Sequence, residues 1–181
     1  MSFRYEFRLS GSGGQGLILA GKILAEAAAI YDGKNATQSQ SYGPEARGGS
    51  SRSEVIISDE DIDYPKAVNI DFLLAFTQEA CDKYLRDVKE NGMVLVDSSY
   101  VTNCPQGKYK IYSVPITEIA EKEVGKTLVA NIVALGMITE LTGVVSKEAV
   151  ESAILSRVPK GTEELNLTAF RTGISAAQKL K

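Results

Sequence analysis

The stretch Gly11-Ser12-Gly13-Gly14-Gln15-Gly16 constrains this chain more than any other. Ahead of it, Phe3-Arg4-Tyr5-Glu6-Phe7-Arg8-Leu9 alternates apolar and polar residues and is rich in aromatics, the pattern of a half-buried β-strand. Behind it, Leu17 to Ala29 is rich in Ala and Leu with apolar residues at helical spacing, which predicts a helix. A strand that turns directly into a helix needs glycine, which accepts positive φ and carries no Cβ. A ligand or another backbone can then approach the first helical turn. Free N–H groups and the positive dipole end there favour an anion such as phosphate.

The spacing satisfies Gly-x-Gly-x-x-Gly in the strand-then-helix context of a dinucleotide site. Such a site also needs a carboxylate at the end of the second strand, to hold the ribose hydroxyls. The second strand is expected at Lys34 to Gln40, and its end, Thr37-Gln38-Ser39-Gln40, has no acid; Asp32 falls before it. This weakens a nicotinamide reading. Two roles stay open for the glycines: contact with a ligand or partner, or simply tight strand–helix packing.

With 181 residues, 44% of them apolar, the chain can bury a full core, and one domain over residues 1–181 is expected. A net charge of -3 and a pI near 5.2 argue against a nucleic-acid binder, which needs a basic field. No apolar run approaches a membrane span and the N-terminus lacks a signal-peptide pattern, so a cytoplasmic location is expected. Cys81 and Cys104 are too few for a zinc site or an iron–sulfur cluster, so both are expected as free thiols and no metal ligand is assigned. With no histidine, neither a Ser-His-Asp nor a Cys-His mechanism is available, and no catalytic residue is assigned.

A second glycine concentration follows the second strand: Ser41-Tyr42-Gly43-Pro44-Glu45-Ala46-Arg47-Gly48-Gly49-Ser50. Gly43-Pro44 and Gly48-Gly49 brace a loop that gathers Tyr42, Glu45 and Arg47, and a guanidinium suits a bidentate grip on phosphate or carboxylate. Strands are expected at Ser53–Ser58, Asn69–Phe76, Met93–Asp97 and Tyr109–Pro115. Helices are expected at Gln78–Val88 behind a Thr77 cap, Ile116–Glu123, Val129–Leu141, Ser146–Leu155 and Glu163–Lys179. Val129–Leu141 is apolar on most sides, which suits burial against the sheet or a partner. Asp97 ends a strand, as a cap or at the edge of a cleft. Gly125-Lys126-Thr127 lacks the upstream glycine of a phosphate loop, since position 120 is Ala120. This order predicts a doubly wound, mostly parallel, Rossmann-like α/β sheet with a helical C-terminal part.

With both glycine stretches in view, the chain resembles the gamma subunit of 2-oxoacid:ferredoxin oxidoreductases. The resemblance rests on Gly11-x-Gly13-Gly14-Gln15-Gly16, on Gln40 to Gly49, and on Asn131-Ile132-Val133-Ala134-Leu135-Gly136 before Thr142-Gly143. Ala46 departs from the Met of many members. The resemblance implies a non-catalytic subunit of a complex that converts a 2-oxoacid and coenzyme A to acyl-CoA and CO₂, with electrons passing to ferredoxin. It implies alpha and beta subunits holding thiamine diphosphate and magnesium, iron–sulfur clusters in other chains, and a ferredoxin-like delta subunit as a further partner. Gly11, Gly13, Gly14, Gln15, Gly16, Tyr42, Glu45, Arg47, Gly48 and Gly49 become the candidates for contact with coenzyme A or a partner. The Ser-Tyr-Gly-Pro-Glu loop is most like the 2-oxoglutarate branch, with pyruvate, branched-chain 2-oxoacids and indolepyruvate left open. The competing reading is a stand-alone nucleotide-binding regulator or dehydrogenase-like module.

Overall fold

A computed structural model describes residues 3–42 and 50–181. Six strands form one sheet: β1 (Arg4–Ser12), β2 (Asn35–Tyr42), β3 (Ser50–Ser58), β4 (Ile70–Ala75), β5 (Val88–Asp97) and β6 (Lys110–Val114), in the spatial order β2-β3-β1-β4-β5-β6. β1–β4, β4–β5 and β5–β6 pair in parallel; β3 runs antiparallel to both of its neighbours, β1 and β2. The sheet is therefore mixed, with a hairpin-like β2–β3 pair on an otherwise parallel core.

β4 reads as a continuous apolar run because it is central. Phe72 and Leu74 point into one core, Ile70, Leu73 and Ala75 into the other. The first face is covered by α1 (Leu17–Glu26), continued by a wider π turn over Ala27–Tyr31, and by the C-terminal helices. The second face is covered by α2 (Gln78–Tyr84) and by Val101 of the β5–β6 connection. Helices α3 (Ile116–Ile119), α4 (Ala130–Thr142), α5 (Lys147–Arg157) and α6 (Glu163–Gln178) complete the chain. Thr77 and Ser146 cap α2 and α5 as expected, accepting from the Ala80 and Ala149 amides.

Two expectations change, the exposure of β1 and the end of α2. β1 is buried on both faces, because β3 and β4 flank it and layers cover both sides. Its polar residues Glu6, Arg8 and Ser10 therefore enter the second core, where each finds a partner: Arg8 donates to Glu54 at 2.7 Å and to Asp87 at 2.6 Å. The helix expected to reach Val88 stops at Tyr84, since Val88 pairs with Ile70 and opens β5. Asn91-Gly92 forms an irregularity inside β5, with Asn91 at φ 66°.

Of the two settings expected for α4, the sheet or a partner, the structure shows the first: its residues are buried from Ala130 through Thr139 by this chain's own elements. α4 and α6 approach so closely at Gly136 and Gly173 that a Cβ on Gly136 would lie 2.1 Å from the Phe170 carbonyl oxygen. Leu128, two residues ahead of α4, faces outward and is 77% exposed.

Candidate functional site

The chain leaves β1 for α1 on one face of the sheet and leaves β4 for α2 on the opposite face. The C-terminal ends of β1 and β4 thus form a topological switch point, where an open α/β sheet leaves a crevice. Gly11 to Gly16 lies there. Phe76, just beyond β4, closes the strand ends by donating its amide to the Ser10 carbonyl at 2.9 Å.

The turn is held from within. Gln15 Oε1 accepts from the Ser12 amide at 2.7 Å, and it occupies the space that a Cβ on Gly11 would fill, 2.2 Å away. Gly14 and Gly16 have φ of 87° and 74°. Gly13 and Gly14 are exposed, and nothing lies within 4 Å of where a Gly14 Cβ would stand. Gly16 is the N-cap of α1, and among the described residues no side chain caps this end and no acid sits in its first turn. The free amides of α1 and its positive dipole end therefore face the crevice unneutralised.

Two cavities meet at Gly14. One, of about 230 Å³, is lined by Gln15, Phe76, Tyr100, Thr117, Thr127 and Leu128. The other, of about 240 Å³, is more apolar; Leu19, Leu128, Val158, Pro159 and Leu165 line it, with Asn131 and Asn166 as polar groups. Leu128 stands between them. Among the described residues neither lining includes a charged side chain. A larger groove, about 590 Å³ around Gly92 and Lys108–Ile111, lies at the N-terminal ends of β5 and β6, away from the switch point.

The sheet register brings the second glycine stretch to the first. Tyr42 pairs with Ser51, Ser51 with Gly11, and Ser50 with Ser12. The chain thus leaves the sheet at Tyr42 and rejoins it at Ser50, both in register with the glycine turn. Glu45, Arg47, Gly48 and Gly49 lie outside the described residues, as does the side chain of Tyr42. Asp97 resolves as a cap. It is fully buried and accepts from the Ser99 amide and from the amide and hydroxyl of Thr117, in the first turn of α3.

Residues 6–176 match the model of the pyruvate ferredoxin/flavodoxin oxidoreductase family. The chain belongs to this family. It is 56% identical over 182 residues to the 2-oxoglutarate synthase subunit KorC of Methanocaldococcus jannaschii, spanning 99% of this chain and 97% of that one. It resembles the crystal structure of the keto/oxoacid ferredoxin oxidoreductase gamma subunit of Geobacter sulfurreducens PCA with a TM-score of 0.87 and 60% identity, covering 97% and 99% of the two chains. A 2-oxoglutarate:ferredoxin oxidoreductase from Magnetococcus marinus shares the fold at a TM-score of 0.86, with 24% identity, over 98% of this chain and 32% of that longer one. In that protein the fold forms part of a larger polypeptide.

Sequence reasoning missed several residues that line or buttress the crevice: Phe76, Tyr100, Thr117, Leu128 and the role of Asn131. Asn131 begins the third stretch of the family resemblance, and that was its one visible signal. Its Nδ2 donates to the Gly16 carbonyl at 2.9 Å, so the third stretch buttresses the first. Tyr100, Thr117 and Leu128 belong to no motif, and only the folding of β5, α3 and α4 around the crevice brings them in. Among the described residues no group of three or more His, Cys, Asp or Glu is placed to hold a metal ion, and no helix is long and apolar enough to cross a membrane.

Proposed function

We propose that this chain is the gamma subunit of a cytoplasmic 2-oxoglutarate:ferredoxin oxidoreductase, acting as a single gamma-type unit over residues 1–181. The observation that carries this reading is the likeness, over nearly the full length of both chains, to a 2-oxoglutarate synthase subunit. In this role the chain supplies a surface and no reaction step. Its donor set does not fit an iron–sulfur cluster, for which four cysteine thiolates are usual, because it has only Cys81 and Cys104. Thiamine diphosphate, magnesium and the clusters reside in the alpha, beta and ferredoxin-like subunits, and coenzyme A is the cosubstrate.

The crevice at Gly11–Gly16 is the face turned toward that cosubstrate or toward the neighbouring subunit. Uncapped amides at the start of α1 suit a phosphate or a carboxylate, and the exposed Gly14 allows close approach. The flanking apolar cavity suits an aliphatic group. Arg47, with Tyr42 and Glu45, adds charge from the second glycine stretch.

Purification of the native chain with its partners tests this. Alpha and beta chains should co-purify, and the complex should reduce a viologen dye with 2-oxoglutarate, coenzyme A and thiamine diphosphate, while the isolated chain should not. Turnover by the isolated chain, or recovery of the chain alone, overturns the reading.

A further inference from the structure

The chain's two cysteines sit on different elements, yet the fold brings them together. Cys81 lies on α2 and is fully buried; Cys104 lies on the β5–β6 connection and is half-buried. Gln78 ties the connection to α2. Its Oε1 accepts from the Thr102 and Asn103 amides at 3.0 and 3.1 Å, and its Nε2 donates to the Asn103 carbonyl at 2.7 Å. Cys81 Sγ lies 4.0 Å from the same carbonyl, which belongs to the residue just before Cys104, and Cys104 packs against the apolar cluster that contains Cys81. Both thiols are free.

The pair is chemically unequal. Burial, with the Cys104 sulfur and Asp82 nearby, pushes the Cys81 thiol up to about 12. Burial also raises Cys104, an effect that the neighbouring Cys81 thiol partly opposes. Cys104 is the sulfur nearer solvent and the one a peroxide reaches first, while the buried Cys81 is placed to resolve it.

We propose that Cys81 and Cys104 are a reversible dithiol–disulfide couple that takes two electrons' worth of oxidation from a peroxide and locks the β5–β6 connection onto α2. The Cys104 thiolate attacks one peroxide oxygen, forming a sulfur–oxygen bond as the O–O bond breaks. The departing hydroxide takes up a proton and leaves as water. Cys81 then loses its proton, forms the S–S bond and expels the sulfenic oxygen, which leaves as a second water. Both thiols are oxidised and one peroxide is reduced. The connection also carries Tyr100, which lines the cavity beside Gly14, so the crosslink fixes one wall of that crevice.

Hydrogen peroxide applied to the reduced full chain, alone and in its complex, tests the couple by non-reducing peptide mapping. The expected product is one peptide pair joined through Cys81 and Cys104, about 2 Da lighter than the sum of the two thiol peptides. Both thiols should be lost in parallel and recovered with dithiothreitol. In Cys81→Ser, Cys104 should halt as a sulfenic acid that dimedone traps. In Cys104→Ser, Cys81 should stay unmodified. Oxidation of Cys104 to the sulfinic acid beside a free Cys81, links only between separate chains, or thiols that persist until the protein unfolds would each overturn the proposal.

Discussion

Asn131 and Gly16, on helices far apart in the sequence, are locked to each other: Asn131 Nδ2 donates to the Gly16 carbonyl at 2.9 Å. A Cβ on Gly16 would lie 2.4 Å from that same nitrogen. Glycine is therefore required here twice, for φ of 74° and for space. The contact sets the start of α1 against the start of α4, with both cavities of the crevice around it.

That relationship predicts a coupled pair of substitutions. Gly16→Ala should cost about 2 kcal/mol or more, from the left-handed backbone and the collision together. Asn131→Ala should cost about 1 kcal/mol, because the Gly16 carbonyl still accepts from the Ala20 amide. The double variant should be more stable than the sum implies, since truncating Asn131 clears room for the new methyl group. Urea denaturation of the four proteins reads this directly, and simple additivity would contradict it.

Arg8 is the buried charge that holds the second face together. Its side chain is 6% exposed, pairs with Glu54 and Asp87, and lies 4.9 Å from the Tyr84 ring centroid. Arg8→Met should cost about 3 kcal/mol, because Glu54 is then left buried without its main partner. Asp87→Ala should cost under about 1 kcal/mol, since that carboxylate is 40% exposed. Equal losses from the two substitutions in chemical denaturation would refute this ordering.

Glu140 supplies a pH dependence. Hydrogen bonds from Lys147 and then Lys181 lower its pKa from 4.5 to about 2. A carboxylate whose folded pKa is depressed stabilises the fold above its unfolded pKa, and that stabilisation is lost as pH falls toward the folded value. The loss should therefore run from about pH 4.5 down to about 2. Glu140→Gln should be less stable than the native chain at pH 7 and should approach it at the acid end of this window. Thermal midpoints across that range provide the check; a constant difference would exclude the linkage.

Neither NAD nor NADP should bind with a micromolar constant. In a dinucleotide fold the second strand lies beside the first and presents a carboxylate to the ribose. Here β3 separates β2 from β1, and β2 ends in Gln40, Ser41 and Tyr42. Calorimetric titration with either nucleotide should show no saturable heat at micromolar concentrations.

Much of this protein was legible before folding was considered, because the relevant forces act locally. The glycine turn, the Thr77 and Ser146 caps, the apolar β4 and the three stretches shared with the family all depend on near neighbours in the sequence. The alternation of strands and helices was enough for the layered α/β architecture. Two local readings failed where a distant partner outweighed them. Val88 left its helix because β4 offered backbone hydrogen bonds, and alternation in β1 suggested a wet face because nothing nearby reveals that α2 and the β5–β6 connection cover it.

The sequence by itself determined that a strand ends in a glycine turn and starts an uncapped helix, since backbone freedom and periodicity are properties of the residues there. Only the tertiary structure decided what surrounds that turn. The insertion of β3 beside β1 aligned both ends of the second glycine stretch with the first, Asn131 reached Gly16 across the chain, and Leu128 was left facing outward between two cavities. Cys81 and Cys104 became neighbours in the same way. Such juxtapositions follow from burying two apolar faces of one sheet at once, a constraint that acts on the whole chain and is written in no single segment of it.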